Sequence, residues 1–185
     1  MSVNLVYRDD TLLAADKPAG LLAVPGRGAD KQDCLSARVQ QEYPDALIVH
    51  RLDQATSGVI VFARGAEMQR KLSRLFHDRK VSKRYIALVA GHMERQEGEI
   101  ALPLLADWPN RPKQKVDHAS GKPSLTRYRL LTNDAASGIS RLELEPVTGR
   151  THQLRVHLAA IGHPILGDAL YDGRPAPRLM LHAAN

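Results

Sequence analysis

An aspartate set between two apolar runs is the first feature of this chain that could do chemistry. Residues 50–58, HRLDQATSG, place His50, Arg51 and Asp53 within four positions and follow them with Thr56, Ser57 and Gly58. Ala46-Leu47-Ile48-Val49 precedes the segment and Val59-Ile60-Val61-Phe62-Ala63 follows it, so both flanks read as buried strands. A carboxylate carried into so short a break is either solvated at a turn, where aspartate is common, or held ionised by a partner. Arg51, two residues earlier, shares its side of an extended segment and can pair with it or reach outward for a phosphate. Spacing alone leaves both readings open.

A second constellation spans residues 148–168, TGRTHQLRVHLAAIGHPILGD, and concentrates Arg150, His152, Arg155, His157 and His163. A helix start rich in arginine suits a phosphate. Metal binding by His152 and His157 is disfavoured, because a spacing of five puts them on different sides of a helix and no carboxylate or thiolate set accompanies them. Both then read as structural histidines. Thr151 and Arg155, four apart, share a helix face, and Arg155 on an otherwise apolar helix is a candidate to turn inward and meet a carboxylate. The third is basic: residues 64–84 carry eight Lys or Arg, among them Arg70, Arg74, Lys83 and Arg84, against Glu67 and Asp78. A solvated helix face explains most such runs, yet the excess gives an RNA backbone something to bind. Tyr85 follows at once; it is either a core tyrosine or a ring that stacks on a displaced base.

The elements that must position these residues are mostly strands. Short apolar pieces at 3–7, 12–16 and 21–24 are separated by turn residues and read as a meander. Residues 34–43 read as a helix stopped by Pro44. After the two strands around Asp53, Met68, Leu72, Leu75 and Phe76 recur at helical spacing within 67–79. A strand is expected at 84–90, nothing periodic from 103 to 120, then strands at 124–131 and 140–147. The last of these leads directly into a helix capped at 148–150, carrying Leu154, Leu158 and Ile161 and ended by Gly162. This order predicts an α+β fold, a largely antiparallel mixed sheet with flanking helices, in one domain over 1–185.

Composition narrows the partners. The chain has 26 Lys and Arg against 20 Asp and Glu, a net charge of +6, which favours nucleic acid over a membrane surface. Cys34 is the only cysteine, so neither an intrachain disulfide nor a thiolate metal cluster can form, and a reducing compartment is expected. The N-terminal residues lack the apolar core of a signal peptide, and no window approaches the ~20 apolar residues of a membrane span. Cytoplasm is the expected location, with no membrane partner. GxGxxG and GxxxxGK[ST] loops are absent, Ser57 has no G-x-S-x-G context, and no cofactor is called for.

Three segments together resemble the RluA-type pseudouridine synthases: HRLDQATSGVIVFA at 50–63, KRYIALVAG at 83–91 and TGRTHQLRVHLAAIGHPILGD at 148–168. DWPNRPKQKV at 107–116 resembles the branch that modifies both 23S rRNA and the tRNA anticodon stem-loop. The resemblance implies the synthase catalytic-domain fold with a central cleft and isomerisation of a uridine in RNA, without metal or cofactor. It implies that Asp53 is the catalytic aspartate, that Arg155 pairs with it and keeps it ionised, and that Tyr85 stacks on the target base. Arg51 would fill the space left by the flipped base, and His50, Thr56, Lys83, Arg84, Arg150, Thr151, Arg70 and Arg74 are expected along the RNA. Flipping a base costs a few kcal/mol of unstacking, least in a loop, so loop uridines are the expected substrate. A monomer is expected, with no small RNA-binding domain ahead of the catalytic one and a C-terminus shorter than usual for the family. The rival reading is a non-catalytic RNA-binding or RNA-folding protein that keeps the fold.

Overall fold

The structure, a computed structural model, describes residues 3–185. Two compact units make up the chain: the first is Met1–Ser82 with Ala183–Asn185, the second Lys83–His182. Among the described residues no helix is long and apolar enough to cross a membrane.

In the first unit, β1 (Leu5–Arg8) pairs antiparallel with β2 (Leu12–Lys17), and β2 with β4 (Ser57–Arg64), while β3 (Ala46–Ile48) pairs with β4. The apolar run expected as a strand after Asp53 is therefore real, and Ile60, Phe62 and Ala63 are fully buried. Helix α1 (Leu35–Glu42) matches its expected span, with Cys34 as N-cap: its Sγ accepts from the Ala37 amide at 3.4 Å. Helix α2 (Gly65–His77) packs on β4 and β3 through its Met68, Leu72 and Phe76 side. Leu75 departs from the expected stripe at 39% exposed.

The strand expected at 21–24 does not form. Its carbonyls serve other donors: Leu22 accepts from the Leu35 amide at 2.8 Å and Ala23 from Ser36 at 3.1 Å, which are orphan donors of the first turn of α1. Leu21 accepts from the Lys17 side chain at 2.7 Å. Leu22 keeps a single isolated bridge, to Cys34.

In the second unit the sheet order is β11 (Leu181–Ala183, whose last residue belongs to the first unit), β5 (Tyr85–Ala90), β10 (Ile139–Pro146), β9 (Thr126–Asp134), β6 (Glu97–Ile100). The β5–β10, β10–β9 and β9–β6 pairs are antiparallel, as expected of this α+β fold. β7 (Leu104–Ala106) and β8 (Gln114–Val116) form a separate hairpin inside the stretch that shows no periodicity in sequence. Three residues per strand are too few for an alternation to show.

Helix α3 (Gln153–Ala160) corrects the expected cap. It does not follow β10 directly, and its N-cap is His152 in the left-handed region at φ 53, with no capping side chain. Thr148 and the connection are instead gathered by Gln153, whose Oε1 accepts from Thr148 Oγ1 at 2.6 Å and from the Arg150 amide at 3.0 Å. Thr151 precedes the helix, so it does not share a helical face with Arg155. The other end is as expected: Gly162 sits at φ +84 and donates to Ala159, while His163 donates to Leu158, a Schellman closure.

Candidate active site

The Asp53 loop connects β3 to β4 and is fastened at several points. His50 Nε2 accepts from the Val61 amide at 2.9 Å, and its ring stacks on Phe76 of α2 at 4.4 Å between centroids. Gln54 binds Gly20 twice: its carbonyl accepts from the Gly20 amide at 2.8 Å and its Nε2 donates to the Gly20 carbonyl at 3.0 Å. Thr56 donates its amide to the Asp53 carbonyl at 3.1 Å and is 3% exposed, so it shapes the turn from inside. Gly58, at φ +116, leaves no room for a Cβ against the Ala183 backbone. Asp53 is half-buried and Arg51 exposed.

Sequence reasoning missed the residue beneath this loop. Lys17, the last residue of β2, is fully buried, and its Nζ donates to the carbonyls of Pro18 at 3.0 Å, Leu21 at 2.7 Å and Gln54 at 2.9 Å. Burial pushes its ammonium down to about 8, opposed in part by the negative charge of Asp53. At neutral pH it therefore stays mostly protonated, with three N–H groups for three acceptors. The available signal was a lysine ending an apolar strand immediately before Pro18-Ala19-Gly20. Lysine is so seldom buried that composition argues against reading it this way.

Arg155 does turn inward and meet a carboxylate, and the one seen within its unit is Asp168. Its Nε donates to Asp168 Oδ2 at 2.8 Å and its Nη2 to Oδ1 at 2.7 Å; the two residues are 4% and 1% exposed. This fork engages two of the five N–H donors of the guanidinium. Asp168 Oδ1 also accepts from the amides of Leu170 at 3.0 Å and Tyr171 at 3.3 Å, which fixes the pair from behind. The Tyr171 ring lies 5.1 Å from the Arg155 guanidinium, and its hydroxyl meets His152 Nδ1 at 2.7 Å. Asp168 closes the third motif, but thirteen residues from Arg155 no helical spacing links them.

Tyr85 opens β5, half-buried and opposite Leu144 of β10. Because the two strands are antiparallel, residues 83–85 enter where β10 leaves for residues 148–152. Consistent with this, a Cβ on Gly149 would lie 3.8 Å from Lys83 Nζ. Lys83, Arg150 and the exposed Thr151 thus share one end of the second unit's sheet, with Arg150 donating to the Pro123 carbonyl at 3.4 Å. Arg84 is exposed. On the first unit, Arg70 and Arg74 project from the exposed side of α2, Arg74 lying 3.7 Å from Asp78.

The histidines of the third motif are structural. His157, fully buried, meets Thr126 Oγ1 at 2.9 Å and the Leu102 carbonyl at 3.0 Å, and burial pulls its pKa below the usual histidine value. His163 Nδ1 meets the Ala90 carbonyl at 2.9 Å. Among the described residues no group of three or more His, Cys, Asp or Glu could hold a metal ion.

Residues 11–160 match the model of the RNA pseudouridylate synthase family. The chain belongs to that family. It is 50% identical over 183 residues to the dual-specificity RNA pseudouridine synthase RluA of Escherichia coli K12, covering 97% of this chain and 83% of that one. Identity to the protein of that name from Vibrio cholerae is 48%, over 98% of this chain and 75% of the relative. Among solved structures, human RNA pseudouridylate synthase domain containing 1 superposes with a TM-score of 0.82 at 31% identity, covering 98% of this chain and 76% of that one. The synthase is thus an isomerase that converts uridine to pseudouridine in RNA.

Proposed function

We propose that this synthase acts on a loop uridine in both 23S rRNA and the tRNA anticodon stem-loop, with Asp53 as its catalytic carboxylate. The dual-specificity relatives at about half identity over nearly the whole chain support the paired substrates. In the reaction the C1′–N1 bond breaks, uracil turns, C1′ bonds to C5, and the C5 proton is lost as N1 gains one, so no atom is added or removed. Asp53 removes and returns the ribose 2′ proton through a transient glycal, in which case deuterium at C2′ slows conversion. Arg155 is the guanidinium that pairs with that carboxylate in the reaction, and Tyr85 stacks on the turned base. Arg51 fills the vacated stack, and Lys83, Arg84, Arg150, Thr151, Arg70 and Arg74 lie along phosphates. His50 and Thr56 serve from behind, by holding the loop.

The observation that carries this reading is Asp53 itself, half-buried on a loop fastened from below by a fully buried ammonium. A solvated turn aspartate needs no such support. The synthase works as a monomer in the cytoplasm, where a lone buried thiol, Cys34, stays reduced and its RNAs are found. The test is to incubate it with 23S rRNA fragments and tRNA transcripts and map pseudouridine by carbodiimide-dependent reverse-transcription stops. New stops are expected in both RNAs, and in neither with Asp53→Asn, a loss of roughly 10²–10⁴-fold or more. RNA affinity should stay within a few-fold, because no phosphate contact is removed. Conversion by Asp53→Asn near the wild-type rate would remove Asp53 from its role.

A further inference from the structure

The only tryptophan of the chain is placed where folding has no use for it. Trp108 stands at the tip of the β7–β8 hairpin and is 65% exposed. Tryptophan offers a large apolar area, and a protein that uses it for stability buries most of it. The tip holds its shape by other means. Asp107 donates its amide to Lys113 at 3.0 Å, Asn110 to Asp107 at 3.0 Å and Lys113 to Asn110 at 3.0 Å, while Asn110 Nδ2 reaches Asp107 Oδ2 at 2.9 Å.

One face of the indole is already occupied. The Arg111 guanidinium lies over it, 3.3 Å from the ring centroid, a cation–π stack that holds the ring in one orientation. The hairpin also carries Lys113 and Lys115, the latter 3.6 Å from Asp117, and its one acid, Asp107, is turned to Asn110. An outward aromatic plane backed by a guanidinium, on a hairpin whose Lys113 adds positive charge, has the chemistry to take an unpaired nucleobase: the base stacks on the open face and its phosphate meets the cations.

The base of the hairpin is not loose. Leu104 and Val116 pack with Val156 of α3 and with Tyr171. The Gln114 amide donates to Tyr171 Oη at 2.8 Å, and that hydroxyl also meets His152 at the start of α3. A base held at Trp108 is therefore tied by a short rigid path to the helix that carries Arg155. We propose that the Trp108–Arg111 pair is a stacking platform for an unpaired base of the substrate RNA outside the target nucleotide, selecting RNAs with open loops. This rests on the synthase reading and adds a specificity contact to it.

A single tryptophan makes the test direct. The wild-type protein is titrated with a short RNA stem-loop and, separately, with a fully paired duplex of equal length, following indole emission and, independently, fluorescence anisotropy of labelled RNA. Saturable quenching by the stem-loop, with the same midpoint as the anisotropy and little response to the duplex, is expected. Trp108→Ala should raise KM for stem-loop RNA by roughly five- to a hundredfold, the loss falling on KM rather than kcat, and Trp108→Phe should restore most of it. Emission unmoved by saturating RNA, or Trp108→Ala with wild-type KM and a wild-type melting curve, overturns the proposal, as does a response of the indole to protein partners alone. Should the wild type convert no uridine while RNA still quenches Trp108, the platform stands and the synthase reading falls.

Discussion

The Asp53 loop and the start of α3 each support one charged side chain, and they do it differently. Beneath Asp53 a buried lysine holds backbone: three carbonyls converge on Lys17, and any residue at Gln54 would offer the same oxygen. Behind Arg155 the support is a specific side-chain fork from Asp168, itself fixed by two amides. The first arrangement tolerates change in the loop's side chains but depends on the protonation of one amine. The second cannot lose either partner.

The comparison is broken most severely at Asp168. Asp168→Ala orphans a buried guanidinium and should destabilise the protein by about 3–5 kcal/mol, read by urea denaturation, with conversion lost in the same variant. A cost under ~1 kcal/mol would mean the fork is not what holds Arg155. Next is Lys17→Met, which strands buried carbonyls and should cost about 2 kcal/mol and roughly ten- to a hundredfold in kcat. Its pH signature sets the two regions apart. The folded pKa of about 8 lies below the unfolded 10.5, so the unfolded state holds the extra proton between those values. Wild-type stability relative to Lys17→Met should then rise with pH across that window, by up to about 3 kcal/mol, while conversion falls as the amine loses its third donor. A stability difference flat from pH 7 to 11 would contradict this.

The second unit should respond at the opposite end of the scale. His157 has a folded pKa below its ordinary 6.5, so its contribution is complete above that value and is lost as pH falls beneath it. His157→Gln should flatten the acid limb of a stability-against-pH curve and leave the alkaline limb unchanged. Smallest of all, Arg70→Ala and Arg74→Ala on exposed α2 should change stability by less than ~0.5 kcal/mol. Each should lower the slope of log affinity against log salt by about 1, equally for all RNA sequences.

Much of this was legible in the residues. β4, α1, α2 and the β9–β10 pair announce themselves by length and period, and the three motifs single out Asp53, Tyr85 and Arg155 as candidates. What escaped was short or non-local. β6, β7, β8 and β11 have three or four residues each, too few for periodicity to separate strand from loop. Residues 21–24 have strand composition but give their carbonyls to α1 and Lys17, a tertiary choice that propensity does not record. The start of α3 was misplaced because Gln153 does from inside the helix what a capping residue does from outside. Lys17 and Asp168 were missed for one reason: a buried charge is recognised by its partners, and these lie far along the chain.

Gly58 gives the molecule a constraint in time. The backbone it presses against is that of Ala183, a residue of the first unit although the whole of Lys83–His182 intervenes. A nascent chain leaving the ribosome can form most of the first unit early but cannot seat the segment beside the Asp53 loop until that intervening unit has been translated. The close packing at Gly58 is therefore completed only after Ala183 has been made.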